Sequence, residues 1–246
     1  MIKSIESNAP MSLPQITSGR AICMADPDAY TTGHLFTVSS SAGTLATVLY
    51  PTPGTAALPG RPCRSVTYAA AITDDCNFCY PVATLIPQYN QPIYMKFGFG
   101  TAVLATGGAK AEFLAGLNVV GTGLIATPAT NYINVRKKVD ETVFQLVCRK
   151  ASGTESAFTI PNTTVGDTGD WWDFSLKILR DPTTLGRGRV DLKVWKNGTP
   201  MWEGPIEIAT QFPDTVAMAP AISTRVGVAS NVTYLSHLMY QVGPTY

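Results

Sequence analysis

The sequence predicts an all-β fold: an antiparallel β-sandwich with an extended N-terminal arm. Three observations predict it. Gly (21) and Pro (18) together supply about one in six of the 246 residues, above the roughly 12% of average proteins, so turns are frequent and long helices few. Short apolar runs recur between clusters of turn residues, as in chains built from many strands. Within the clearest runs the apolar side chains alternate with period two, and none follows the 3.6-residue period of a helix.

Residues 1–20 are polar, carry Pro10 and Pro14 and show no sustained period; they read as an arm. Residues 21–246 then form a single sandwich domain, because no repeat, low-complexity tract or sharp change of composition divides them. Thr44–Tyr50 and Ser65–Ala71 read as strands, separated by a proline-rich loop over 51–62. Further strands are expected at Tyr94–Gly100, Ala111–Leu117, Tyr132–Lys137 and Val143–Arg149. The next two, Phe174–Arg180 and Arg189–Lys196, alternate cleanly. Phe174, Leu176 and Ile178 share one face of the first, and Val190, Leu192 and Val194 one face of the second. Asn197-Gly198 supplies the two positive-φ positions of a type I′ hairpin turn, leading into Met201-Trp202. A last strand runs over Thr233–Val242.

Charge excludes several functions. Eighteen basic residues face seventeen acidic ones for a formal net charge of +1, so no field draws in nucleic acid or an anionic membrane. Arg136-Lys137-Lys138 and Arg187-Gly188-Arg189 are the only basic clusters, and Asp140, Glu141 and Asp191 offset them. The charged fraction, 14%, is well below the roughly 25% usual for soluble domains, which points to a surface partly hidden against partners. No run approaches the roughly 18 apolar residues of a membrane helix, and the first residues lack a signal-peptide pattern. The expectation is a protein made in the cytoplasm and not secreted, so the sequons at Asn162, Asn197 and Asn231 read as chance matches.

Cys23, Cys63, Cys76, Cys79 and Cys148 are odd in number, which argues against a complete disulfide framework. Cys76-Asn77-Phe78-Cys79 reads as a loop of reduced thiols, with a zinc half-site and a redox pair as alternatives. The remaining cysteines are scattered and the only histidines are His34 and His237.

Four features from about Tyr94 onward carry a family likeness. An aromatic-led strand, Trp172-Asp173-Phe174-Ser175-Leu176-Lys177-Ile178, is followed by the hairpin Gly188-Arg189-Val190-Asp191-Leu192-Lys193-Val194-Trp195-Lys196-Asn197-Gly198. Before them lie strands around Phe97 and Phe99 and around Phe113-Leu114-Ala115-Gly116. In this order, from about Tyr94 to Val242, the chain resembles the concanavalin A-like lectin/glucanase (laminin G-like) jelly roll. Its weakly charged Ala/Thr/Gly/Val-rich character is similar to that of bacteriophage virion proteins built on this fold.

The resemblance implies a fold and leaves the chemistry open. Glucanases of this type carry alternating carboxylates on one strand, which the sequence lacks. The nearest pairs are Glu203 with Glu207, interrupted by Pro205, and Asp167 with Asp170 in a Thr/Gly loop. No nucleophile elbow or phosphate loop occurs. His237 reads as structural, and Asp26 with Asp28 or Asp74 with Asp75 match no calcium loop. No catalytic residue, metal or cofactor is expected. The candidate binding residues are Trp171, Trp172 and Trp195. Trp195 shares its strand face with Arg189, Asp191 and Lys193, and one of the adjacent pair Trp171/Trp172 must point away from the core. Outward tryptophans serve a subunit contact, a carbohydrate platform, or a second small core under the 1–90 segment.

The sequence thus leads to a non-enzymatic virion structural protein, a capsid decoration (cement) protein assembled in the host cytoplasm. It would bind the major capsid protein and other virion subunits as a homo-oligomer, with the arm 1–20 and loop 51–62 laid across neighbours. No nucleic acid or membrane partner is expected. The alternative is a carbohydrate-binding module of a tail fibre or receptor-binding protein.

Overall fold

The computed structural model describes residues 83–101, 111–119, 129–138, 141–151, 153–165 and 170–226, and the strand backbone outside them. In chain order the strands are β1 Ile22–Ala25, β2 Thr37–Ser40, β3 Thr44–Leu49, β4 Pro62–Thr67, β5 Asp75–Cys79, β6 Ile93–Thr101, β7 Ala111–Asn118 and β8 Tyr132–Lys137. Then come β9 Gln145–Arg149, β10 Ser156–Thr159, β11 Trp171–Arg180, β12 Gly188–Lys196, β13 Thr199–Ile208, β14 Ala219–Val226, β15 Val232–Leu235 and β16 Leu238–Val242. No helix occurs among the described residues. The expected arm and most of the expected loop 51–62 lie outside them.

The strands form two antiparallel sheets. One runs β10-β9-β8-β7-β14-β5-β2. The other runs β13-β12-β11-β6, and there the far edge of β6 is shared. β16 pairs with Ile93–Lys96 and continues to β1, while β15 pairs with Phe99–Thr101 and continues to β4 and β3. The strand expected over 233–242 is therefore two short ones laid along the same neighbour.

The core between the sheets follows from alternation. Phe97, Phe99, Trp172, Phe174, Leu176 and Val190 come from the nine-stranded sheet, and Phe113, Ala115, Leu117, Ile133, Val135 and Leu146 from the seven-stranded one. Phe113 stands at its centre, with ring centroids 4.5 Å from Phe99, 6.0 Å from Phe97 and 6.1 Å from both Phe144 and Phe174. Such tilted, stacked and edge-on pairs add about 0.5–1.5 kcal/mol each beyond burial.

The expected hairpin forms between β12 and β13. Asn197 and Gly198 have φ of 50° and 82°, so the two-residue turn matches the strand twist. Beyond it, Val194 pairs with Trp202 and Trp195 with Pro200, leaving Met201 as the extra residue of a bulge. β13 runs on through Pro205, which pairs with Asp191 at the sheet's edge. An edge strand tolerates a proline because its outward N–H has no ladder partner.

The CxxC segment is no loop. Cys76 and Cys79 lie in β5, held between β2 and β14. Two hydrogen-bonded neighbours stabilise extended backbone whatever the local turn signals. Three residues of extended chain separate Cα atoms by about 10 Å, beyond the roughly 7 Å limit of a disulfide. Cys148 is a buried free thiol whose pKa burial pushes up, so it is inert. β1, β2, β10 and β14 had no expectation from the sequence, and β11 begins at Trp171, ahead of the stretch from Phe174 whose alternation was read.

Candidate functional site

The three candidate tryptophans are all buried: Trp171 is 0%, Trp172 1% and Trp195 6% exposed. Parity along the strand places them as expected. Trp172 enters the core against Phe144, with centroids 5.3 Å apart, while Trp171 points to the opposite face of the sheet. Of the alternatives the sequence left for these tryptophans, burial in a second small core agrees with these exposures, and an open outer face does not. Trp171, Trp195 and Asp173 stand side by side on it, and Trp171 Nε1 donates to Asp173 Oδ1 at 3.1 Å. Opposite them β6 presents Gly100 and Gly98, which leave room for an indole. Asp173 and Lys96 on this face are also buried. Along β12 the outward positions pass from an exposed Arg189 to the buried Trp195. Exposure at the Trp195 end is absent because a polar and aromatic layer is packed there.

Asn197 fastens the turn to this layer. Its Oδ1 accepts the Trp171 backbone N–H at 2.8 Å, and its Nδ2 donates to Asp170 Oδ1 at 3.1 Å. Lys196 Nζ pairs with Asp170 Oδ2 at 2.8 Å and lies 5.3 Å from the centroid of Trp172. The carboxylates considered for hydrolysis are accounted for in the same way. Glu203 and Glu207 are exposed and face Lys193 and Arg189 across the β12–β13 ladder. Asp167, Asp26, Asp28, Asp74 and both histidines lie outside the described residues.

A second group, on the outer face of the seven-stranded sheet, carries more chemistry. Arg136 Nη1 and Nη2 clasp Glu155 Oε2 and Oε1 at 2.6 and 2.9 Å, and Nη2 also donates to Gln145 Oε1 at 3.1 Å. The Tyr132 hydroxyl donates to Glu155 Oε2. Beside them on the same face, Asn118 and Asn134 exchange two amide hydrogen bonds of 2.9 Å in full burial. Gly116 makes that pair possible. A Cβ there would stand 2.7 Å from Asn134 Oδ1 and 2.1 Å from the Ile133 carbonyl, and its φ of +156° is unfavourable for other residues.

The electrostatics fix the protons. Burial, reinforced by the hydrogen bond and charge of Glu155, pushes the Tyr132 hydroxyl well above its ordinary value. Burial pushes the Glu155 carboxyl up too, but hydrogen bonds from Arg136 and Tyr132 outweigh it and hold the group below the usual range. Tyr132 is thus a permanent donor and Glu155 a permanent acceptor near neutral pH.

A third feature lies where the last strands of the two sheets meet. Phe158 of β10 and Trp202 of β13 pack with centroids 5.9 Å apart, with Phe158 exposed. Trp202 lies over Gly204, where a Cβ would come within 3.1 Å of its ring.

No protein-family model and no curated protein matches the chain. Solved structures do. An alginate lyase from Aplysia kurodai aligns with a TM-score of 0.57 at 9% identity, covering 92% of this chain and 100% of that one. Lectin II from Ulex europaeus aligns at 0.53 with 12% identity over the same shares. The chain has a concanavalin A-like jelly-roll fold. A protein of unknown function from Shewanella oneidensis MR-1 also shares it, with a TM-score of 0.52 and 13% identity over 94% of this chain and 92% of that one. Neighbours of this fold thus include enzymes and lectins.

None of Tyr132, Arg136, Gln145 and Glu155 stood out as a site in the sequence. Arg136 had appeared only within a basic cluster offset by nearby acids. Their partners lie on three separate segments, 9 to 23 residues apart, and only the register of β8 against β9 brings them together.

Proposed function

We propose that this chain is a non-catalytic carbohydrate-recognition protein that binds its ligand on the outer face of the seven-stranded sheet. The observation that carries this reading is the Tyr132–Glu155–Arg136–Gln145 network. It sets a phenol, a guanidinium, a carboxylate and an amide on one sheet face, the group types that hydrogen-bond sugar hydroxyls. Likeness in fold to a lectin supports the reading. On a glycan array the purified protein retains a defined subset of glycans, and Arg136→Ala abolishes retention while the fold persists. No retention above background, or retention indifferent to Arg136→Ala, defeats the proposal.

The second reading is the virion structural protein, a capsid decoration protein that would meet the major capsid protein as a homo-oligomer. The low charged fraction, 14%, favours it, because a surface poor in charge is suited to being covered by neighbours. Size-exclusion chromatography with light scattering, alone and with capsids, tests it. A monomer indifferent to capsids removes this reading, whereas co-migration supports it.

A further inference from the structure

We propose that the Arg136 clasp is a receptor for the carboxylate of an acidic sugar, occupied in this state by the chain's own Glu155. This rests on the carbohydrate reading above and names its ligand class. The geometry is that of carboxylate recognition. A guanidinium grips both oxygens of one carboxylate at 2.6 and 2.9 Å, and a phenol donates to one of those oxygens. Bidentate, charge-assisted clasps of this kind are selective for planar carboxylates. A neutral hydroxyl satisfies only part of it.

The gripped carboxylate is placed as a displaceable stand-in. Glu155 belongs to the connection between β9 and β10, and that connection is anchored independently of the clasp. Lys150 Nζ pairs with the buried Asp214 at 2.6 Å. The Ala151 N–H donates to Asn131 Oδ1 at 2.9 Å, and the Gly153 N–H to the Lys150 carbonyl at 2.9 Å. Releasing Glu155 therefore needs rotation of its side chain and leaves the loop backbone in place. The Glu155 side chain retains 25% exposure and that of Arg136 14%, while Tyr132 is buried, so solvent reaches the clasp from Glu155's side and the phenol forms its floor. An incoming sugar carboxylate replaces Glu155 on Arg136 and Tyr132, and Glu155 turns outward into water.

An internal competitor lowers apparent affinity by the fraction of time it occupies the site. Glu155→Ala vacates the clasp, and Glu155→Gln keeps the shape while removing the charge. Calorimetric titration with oligogalacturonate, with the neutral galactose oligomer and with a polyglutamate peptide is the test. The expected result is a gain of about tenfold or more for oligogalacturonate in Glu155→Ala, and a smaller gain in Glu155→Gln. The neutral oligomer should be unaffected, polyglutamate should gain less than oligogalacturonate, and adding Arg136→Ala should erase the gain. If Glu155→Ala does not fold, Glu155→Gln carries the test. No gain in a folded variant overturns the proposal, and a gain for polyglutamate alone assigns the clasp to a protein partner and overturns it as well. Retention of neutral glycans without any gain for the acidic one removes this inference and leaves the carbohydrate reading standing; no glycan binding by any form removes both.

Discussion

At the residue scale, Glu155 ties stability to pH with a definite sign. Its folded pKa lies below the unfolded value of about 4.3, because bonds from Arg136 and Tyr132 exceed the burial cost. Its contribution is therefore fully present above about pH 5 and is lost as pH falls through the folded value. Glu155→Gln should lower the urea midpoint near neutrality, and the gap from the native chain should close as pH is lowered toward about 3. A gap that stays constant across that range would show that the carboxylate charge is not what the clasp stabilises. Such residue-level detail was only half legible in the sequence. Parity fixed that Trp171 and Trp172 point to opposite sides, since neighbours on a strand do. Burial of Trp171 and Trp195 stayed one alternative among three, because it depends on what packs on the far side of a sheet, and no local pattern encodes that.

At the element scale, legibility tracked how far each strand is specified by itself. β11, β12 and the Asn197-Gly198 turn alternate cleanly and carry a turn with its own backbone preference. β5, by contrast, is a strand because β2 and β14 flank it, information carried by residues far along the chain. β14 begins Ala-Pro-Ala and lies between β5 and β7, so its weak propensity is overridden by pairing. The start of β12 has a similar tertiary constraint. A Cβ on Gly188 would come within 2.5 Å of the fully buried Phe212 ring. Gly188→Ala should destabilise by about 1–3 kcal/mol, read as a melting temperature lowered by several degrees in a domain of this size. Combining it with Phe212→Leu should cost less than the two changes summed, since the pair share one contact; simple additivity would contradict the overlap.

At the scale of the whole molecule, one aromatic nucleus joins the two sheets. Phe113 touches four other rings contributed by β6, β11 and the segment before β9. Phe113→Ala should cost about 3–5 kcal/mol in chemical denaturation, with loss of the single cooperative transition if the sheets then melt separately. A loss below about 1 kcal/mol would mean that the core closes over the gap. The sandwich class was legible because strand period and turn density are properties of the entire chain. The polar clasp was not, since it is assembled from positions whose adjacency only the finished sheet creates.

The pairing order also sets a timetable. β1 joins its sheet through β16, β3 and β4 join through β15, and β2 and β5 join through β14. All five early strands thus wait for residues 219–242 to leave the ribosome. At common elongation rates that delay is on the order of ten seconds or more. Throughout it the early strands have unpaired edges, open to chaperones or to another copy of the same nascent chain. The late strands β14 to β16 act as the molecule's fastening.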